Sequence, residues 1–212
     1  MFNRDCWFYL LKKVIFVGLF LLVGQMLAAQ EVLVPESFVD TTESAGINTP
    51  HRSNWDLFAE NPEFATGGYL GMGQAWGDYN NDGWVDLFLT GGKLRNHLYQ
   101  NNGDGTFAIS EHNDDISLKD VWTGGAVWAD YNNDGHVDLY VTNFGANVLY
   151  RNNGDGTFTA VTAQAGVGDT RMSSSAAFAD YDGDGDVDLY VANYAEVPIA
   201  NAKQCRHGGV QV

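Results

Sequence analysis

Short apolar runs alternate with polar turns along most of this chain. Ala126-Val127-Trp128-Ala129 leads into an acidic loop, and Val137-Asp138-Leu139-Tyr140-Val141-Thr142 leaves it with a period of two. Val148-Leu149-Tyr150 is a third run, Asn153-Gly154-Asp155-Gly156 a turn, and Phe158-Thr159-Ala160-Val161-Thr162 a fourth run. Runs of this length bounded by Gly, Asn and Asp predict β-strands, and no helical period competes with them. Val137, Leu139 and Val141 share one strand face while Tyr140 takes the other. A strand apolar on both faces is expected where sheets are stacked front and back.

The unit recurs. Asp78, Asp130 and Asp180 open the same nine-residue loop at steps of 52 and 50 residues. A second motif keeps that step: Leu98-Tyr99-Gln100-Asn101-Asn102-Gly103-Asp104-Gly105-Thr106-Phe107 returns as Leu149-Tyr150-Arg151-Asn152-Asn153-Gly154-Asp155-Gly156-Thr157-Phe158. Four antiparallel strands per repeat of about fifty residues predict an all-β fold of β-propeller blades. The repeats fall at about 66–116, 121–167 and 173–212, the last incomplete, so about three blades are present and the ring does not close within the chain. Phe38-Val39-Asp40-Thr41-Thr42-Glu43-Ser44-Ala45-Gly46-Ile47 parallels Phe158 to Val167. Residues 37–47 are therefore expected to be a closing strand whose partners lie beyond residue 212, which makes the chain read as an N-terminal fragment.

Each loop places oxygen-bearing side chains at positions 1, 3, 5 and 9 and Gly at position 6. The first set is Asp78, Asn80, Asp82 and Asp86, with the Trp84 carbonyl at position 7. The second is Asp130, Asn132, Asp134 and Asp138 with the His136 carbonyl; the third is Asp180, Asp182, Asp184 and Asp188 with the Asp186 carbonyl. Alternate residues of a tight loop can converge their oxygens, and a hard cation taking six to eight oxygens suits them. Calcium, about three ions, is the expected cofactor, since magnesium demands a stricter octahedron. The extra carboxylate of Asp182 makes the third loop the tightest. An EF-hand or dockerin is excluded, because position 12 is Leu89, Val141 or Val191 rather than Glu and the flanks are strand-like. Asp104 and Asp155 read as hairpin-turn residues, and Trp76, Trp128 and Phe178, at one blade position, as core.

Charge narrows the partners. The chain carries 11 Lys+Arg and 27 Asp+Glu, a formal net charge of −16. Eleven of the acids lie in the three loops, and nothing offers to neutralise phosphates, which argues against nucleic acid. Arg4, Lys12 and Lys13, the apolar run from Val14 to Leu27 and Ala28-Ala29 read as a secretory signal peptide over 1–29, followed by a linker over 30–36. The expectation is a secreted, extracellular or cell-surface protein with no membrane span after cleavage. Cys205 is then the one cysteine of the mature segment, which suggests a missing or intermolecular partner.

The loop, its aromatic lead-in and the Asn-Asn-Gly-Asp-Gly-Thr-Phe turn resemble FG-GAP/VCBS repeats, the blades of integrin-α-type propellers. With Ala-Gly-Ile or Ala-Gly-Val after the fourth strand, the chain is most similar to secreted proteins of the ASPIC/UnbV (cartilage acidic protein-like) group. The resemblance covers about residues 37–212. It implies a calcium-binding propeller used in adhesion or matrix contact, its partner an extracellular protein or polysaccharide. It also implies that Cys205 opens a cysteine-containing insertion after Tyr190-Val191-Ala192-Asn193-Tyr194. The separate C-terminal domain usual in that group is not in this sequence, and integrin ligand binding does not carry over. The alternative is a polysaccharide-binding lectin or polysaccharide-active propeller enzyme. Paired acids can hydrolyse glycosides, but here the clustered acids repeat whereas an active site is single, and Ser173-Ser174-Ser175 stands at a strand lead-in. No enzyme activity is expected.

Overall fold

The computed structural model describes residues 38–49, 73–92, 94–119, 121–195, 206–207 and 210–211. The segments expected to be signal peptide and linker, and Cys205, lie outside the described residues. The chain divides into two compact units, Met1–Asp40 and Thr41–Val212, and the architecture below is that of the second.

Two complete four-stranded antiparallel sheets follow one another. The first is β1 (Gln74–Gly77), β2 (Asp86–Leu89), β3 (His97–Asn101) and β4 (Phe107–Ile109), paired in chain order. The second is β5 (Thr123–Ala129), β6 (Asp138–Asn143), β7 (Val148–Asn152) and β8 (Phe158–Ala160), paired likewise. β9 (Met172–Ala179) and β10 (Asp188–Ala195) begin a third sheet, and β11 (Arg206–His207) with β12 (Val210–Gln211) forms a short hairpin. Register is shared as well as order: Trp76 faces Leu87, Trp128 faces Leu139 and Phe178 faces Leu189. The molecule is all-β, built as successive blades of a partial β-propeller.

The second strand of each blade explains why the blades stack. Every residue of β2 and of β6 is buried. Leu139 and Val141 join Phe88 and Leu98 in one core between the first two blades, while Tyr140 turns to the opposite face against Phe178, Leu189 and Val191. Burying a side chain such as Leu or Phe stabilises by about 1.5–3 kcal/mol, so each blade interface contributes a large share of the fold. Inner strands come close enough that backbone meets backbone. A Cβ at Gly73 would lie 2.8 Å from Gly125 Cα, so a side chain there would push the first two blades apart.

Among the described residues two short helical turns interrupt the β pattern. α1 (Asn113–Ile116) and α2 (Thr162–Ala165) follow β4 and β8. The fourth run therefore ends as a strand at Ala160, and Thr162, read as strand from the sequence, starts a turn of helix. Residues 38–49 carry no strand among the described residues; 42–46 form a turn instead. That turn shares two bonds with the α2 region: Ala45 N–H donates to Thr41 O and Ile47 N–H to Thr42 O, as Ala165 does to Val161 O and Val167 to Thr162 O. It is seated on the first blade, where Phe107 N–H donates to Ala45 O, Thr49 bonds the Tyr99 hydroxyl and Ile47 packs on Leu87, Leu89 and Tyr99.

The blades differ at one core position in a way the chain itself documents. The Tyr140 hydroxyl donates to Val167 O at 2.8 Å and accepts from Asn147 Nδ2 at 3.1 Å. Phe88 holds the equivalent place in the first blade, where the Nδ2 of Asn96, the counterpart of Asn147, is buried with no partner among the described residues. Tyr140→Phe should therefore cost about 1–2 kcal/mol in denaturant melting of the full chain, by removing two hydrogen bonds without opening a cavity. An unchanged midpoint would remove this bond pair from the account of blade packing.

Candidate metal centres

The three acidic loops join the first and second strands of their blades and fold alike. At position 1, Asp78 accepts from the backbone N–H of Asp82 (3.1 Å) and Gly83 (2.9 Å), Asp130 from Asp134 (3.0 Å) and Gly135 (2.8 Å), and Asp180 from Asp184 (3.2 Å) and Gly185 (3.1 Å). At position 3, Asn80, Asn132 and Asp182 accept from the N–H of position 5. At position 5, Asp82, Asp134 and Asp184 accept from the N–H of Trp84, His136 and Asp186 at 2.8, 3.0 and 2.9 Å. The backbone turns at position 6, where Gly83, Gly135 and Gly185 have φ of 89°, 87° and 98°, a region that glycine enters without a Cβ penalty.

Position 9 ties each loop to its sheet. Asp86 Oδ2 accepts from Tyr79 N–H at 3.2 Å and its Oδ1 from Asn101 N–H at 2.8 Å. Asp138 repeats this with Tyr131 (3.2 Å) and Asn152 (2.8 Å), and Asp188 accepts from Tyr181 (3.1 Å). Asp86 and Asp138 are fully buried. Burial raises both carboxyls from 3.8 to about 6, against the lowering effect of their backbone donors. At position 5 the Asn132 amide holds Asp134 below the ordinary carboxylate range.

The donor set at every loop is oxygen alone. In the third, carboxylate oxygens of Asp180, Asp182 and Asp188 lie within 4.8 Å of one another. Asp184 stands outside that trio. The first two loops carry an amide at position 3, hence three carboxylates each. Ion pairs of the described residues such as Arg95–Asp114 and Arg171–Asp169 fall outside the loops. The acids of a loop are therefore held together by backbone N–H groups and, in the first two loops, by the Asn80 and Asn132 amides, with further lone pairs left on the carboxylates for a cation.

Trp84 and His136 also shape the turns beside them. A Cβ at Gly103 would meet the Trp84 ring at 2.7 Å, and one at Gly154 the His136 ring at 2.7 Å. Asp104 and Asp155 accept from the N–H and hydroxyl of Thr106 and Thr157, which makes them turn residues. Trp128 packs in the first blade interface and Phe178 in the second, whereas Trp76 is 53% exposed. Ser173 is buried, accepting from Asn147 and donating to Asn193, and so serves as a blade link.

The FG-GAP-like repeat family matches residues 78–141 and 130–191. Each match runs from the first aspartate of one loop to the strand after the next. Together they span more than half of the 212 residues, and the chain belongs to that family. A comparison with curated proteins gave no match.

Asp86 and Asp138 impose a pH dependence on the cation-free chain. Their folded-state values lie above the unfolded one, so between the two the folded state binds more protons than the unfolded state. Stability in chelator should rise as pH falls from 7 through 6 toward the unfolded value. Asp138→Asn, which cannot titrate, should flatten that slope, as urea melts at pH 5, 6 and 7 will show. Equal slopes in variant and parent would mean that Asp138 does not titrate in this range.

Proposed function

We propose that this chain is part of a secreted calcium-binding β-propeller of the adhesion or extracellular-interaction kind, with calcium in a structural role. The observation that carries the reading is the threefold loop arrangement, above all the convergence of Asp180, Asp182 and Asp188. In the first loop Asp78, Asn80, Asp82, Asp86 and the Trp84 carbonyl would hold the ion. In the second, Asp130, Asn132, Asp134, Asp138 and the His136 carbonyl would do so, and in the third Asp180, Asp182, Asp184, Asp188 and the Asp186 carbonyl. A bound divalent ion supplies positive charge where the loops concentrate negative charge, and so offsets the burial of Asp86 and Asp138. Extracellular sites of this type work at dissociation constants of about 10⁻⁴–10⁻³ M.

Secretion rests on the N-terminal sequence pattern, and adhesion on the family. The turn shared by residues 41–47 and 161–167 supports placing the chain in the ASPIC/UnbV group. The half-exposed Trp76 and Trp84 favour one second reading, a polysaccharide-binding propeller, since exposed indoles stack on sugar rings. Retention on a polysaccharide column that persists in chelator would select it.

The deciding experiment is a calcium titration followed by native mass and thermal unfolding. About three ions should bind, each stabilising the fold by about 2.7 kcal/mol at a hundredfold excess over its dissociation constant. Asp182→Asn gives the third loop the donor set of the other two and should weaken that site by about tenfold while sparing them. No uptake, with a melt indifferent to chelator, would overturn the calcium reading.

A further inference from the structure

Position 4 is not a ligand position, yet in the first two loops its side chain reaches the next blade. Asn81 Nδ2 lies 3.1 Å from Gly135 O and 3.0 Å from His136 Nδ1, both in the second loop. Asn133 Nδ2 donates to Asp186 Oδ1 in the third loop at 2.7 Å. Both asparagines sit in the left-handed region, with φ of 56° and 58°. Glycine is the residue that fills such a place at least strain, and the third loop uses it at Gly183, φ 78°. The loop backbone therefore does not require asparagine. What asparagine adds is the bond across the blade interface.

The acceptors of these bonds belong to the ligand framework of the receiving loop. Gly135 donates its N–H to Asp130, His136 to Asp134 and Asp186 to Asp184. The donors are flanked by candidate ligands, Asn80 and Asp82 in one case and Asn132 and Asp134 in the other. A second, buried link runs parallel between the first two loops. Asp86 accepts from Tyr79 N–H, Tyr79 O accepts from Asn152 Nδ2 at 2.7 Å, and Asn152 N–H donates to Asp138. The two buried position 9 carboxylates are thus joined through the backbone of Tyr79 and one asparagine.

We propose that Asn81 and Asn133 are positioning residues that couple cation uptake between successive loops, so that ordering one loop preorganises the next. This rests on the calcium reading above. The relay follows the order of the loops. Gly183 has no side chain to extend it, so among the described loops the links join first to second and second to third, each acting equally in both directions.

The test is a calorimetric calcium titration of the full chain, the parent against Asn81→Gly/Asn133→Gly, with melting in chelator as the measure of the unloaded fold. The glycine variants keep every ligand and suit the positive φ. The parent should load more steeply than independent sites allow. The double variant should load as independent sites, with half-uptake at about fivefold higher calcium. A pairwise check uses Asp186→Ala: once that acceptor is gone, Asn133→Gly should produce no further shift in the third site. About three ions taken up with the same midpoint and slope in parent and double variant would overturn the coupling and leave the calcium sites standing. Additive shifts for Asn133→Gly and Asp186→Ala would do the same. Absence of uptake in the parent would remove both readings.

Discussion

The ninth position of the acidic loop is the constraint on which the rest depends. Asp86 begins β2, accepts from the start of its own loop through Tyr79 and from the end of β3 through Asn101. One carboxylate thus fixes the loop, the second strand and the third strand relative to one another, and Asp138 does the same in the next blade. A buried carboxylate is costly unless its oxygens are satisfied. The fold satisfies them with two backbone donors and leaves the charge itself unneutralised. That residual cost is concentrated where three other oxygen donors of the loop gather.

Blade stacking follows from the same second strands. They are buried on both faces, so each blade exposes apolar surface front and back and is completed only by its neighbours. The turn at 41–47 illustrates this at the leading face of the first blade, where Leu87, Leu89 and Tyr99 are covered by Ile47. α1 stands in the corresponding relation to the second blade, with Ile116 in one core with Phe158. The start of the second unit therefore does for the first blade what the end of one blade does for the next. Phe88 and Tyr140 show that the scheme tolerates variation: the same shape serves with or without a hydroxyl, and the polar difference is left to Asn96 or Asn147.

Strand order, blade type and the makeup of the loops were legible in the sequence because each rests on a local pattern repeated at fixed phase. Val137, Leu139 and Val141 against Tyr140 announced a strand with two buried faces. The helical turns α1 and α2 were not legible, since four residues are too few to show a 3.6-residue period. Only the Gly after Ala165, in its left-handed cap, marks where such a turn ends. The exposure of Trp76 was hidden for the opposite reason. Repeat position places it with Trp128, but burial depends on which blade lies in front, and that is a property of neighbours. The reach of Asn81 and Asn133 was missed because asparagine in a tight loop already has an adequate local explanation as a residue that tolerates positive φ. The signal was the contrast with Gly183.

That contrast bears on what a repeat of this kind can do. If loops were independent, position 4 would be free to become glycine in every copy, as it is in the third. Two asparagines aimed forward, together with the Asn152 bridge, make the hydrogen bonds of a loop part of the interface between blades. The polar half of the interface is thus built from the same turns that hold the loop carboxylates. The apolar half, held by Phe88, Leu139 and Tyr140, comes from the second strands instead. Two kinds of contact, apolar between strands and polar between loops, therefore join the same pair of blades through different residues.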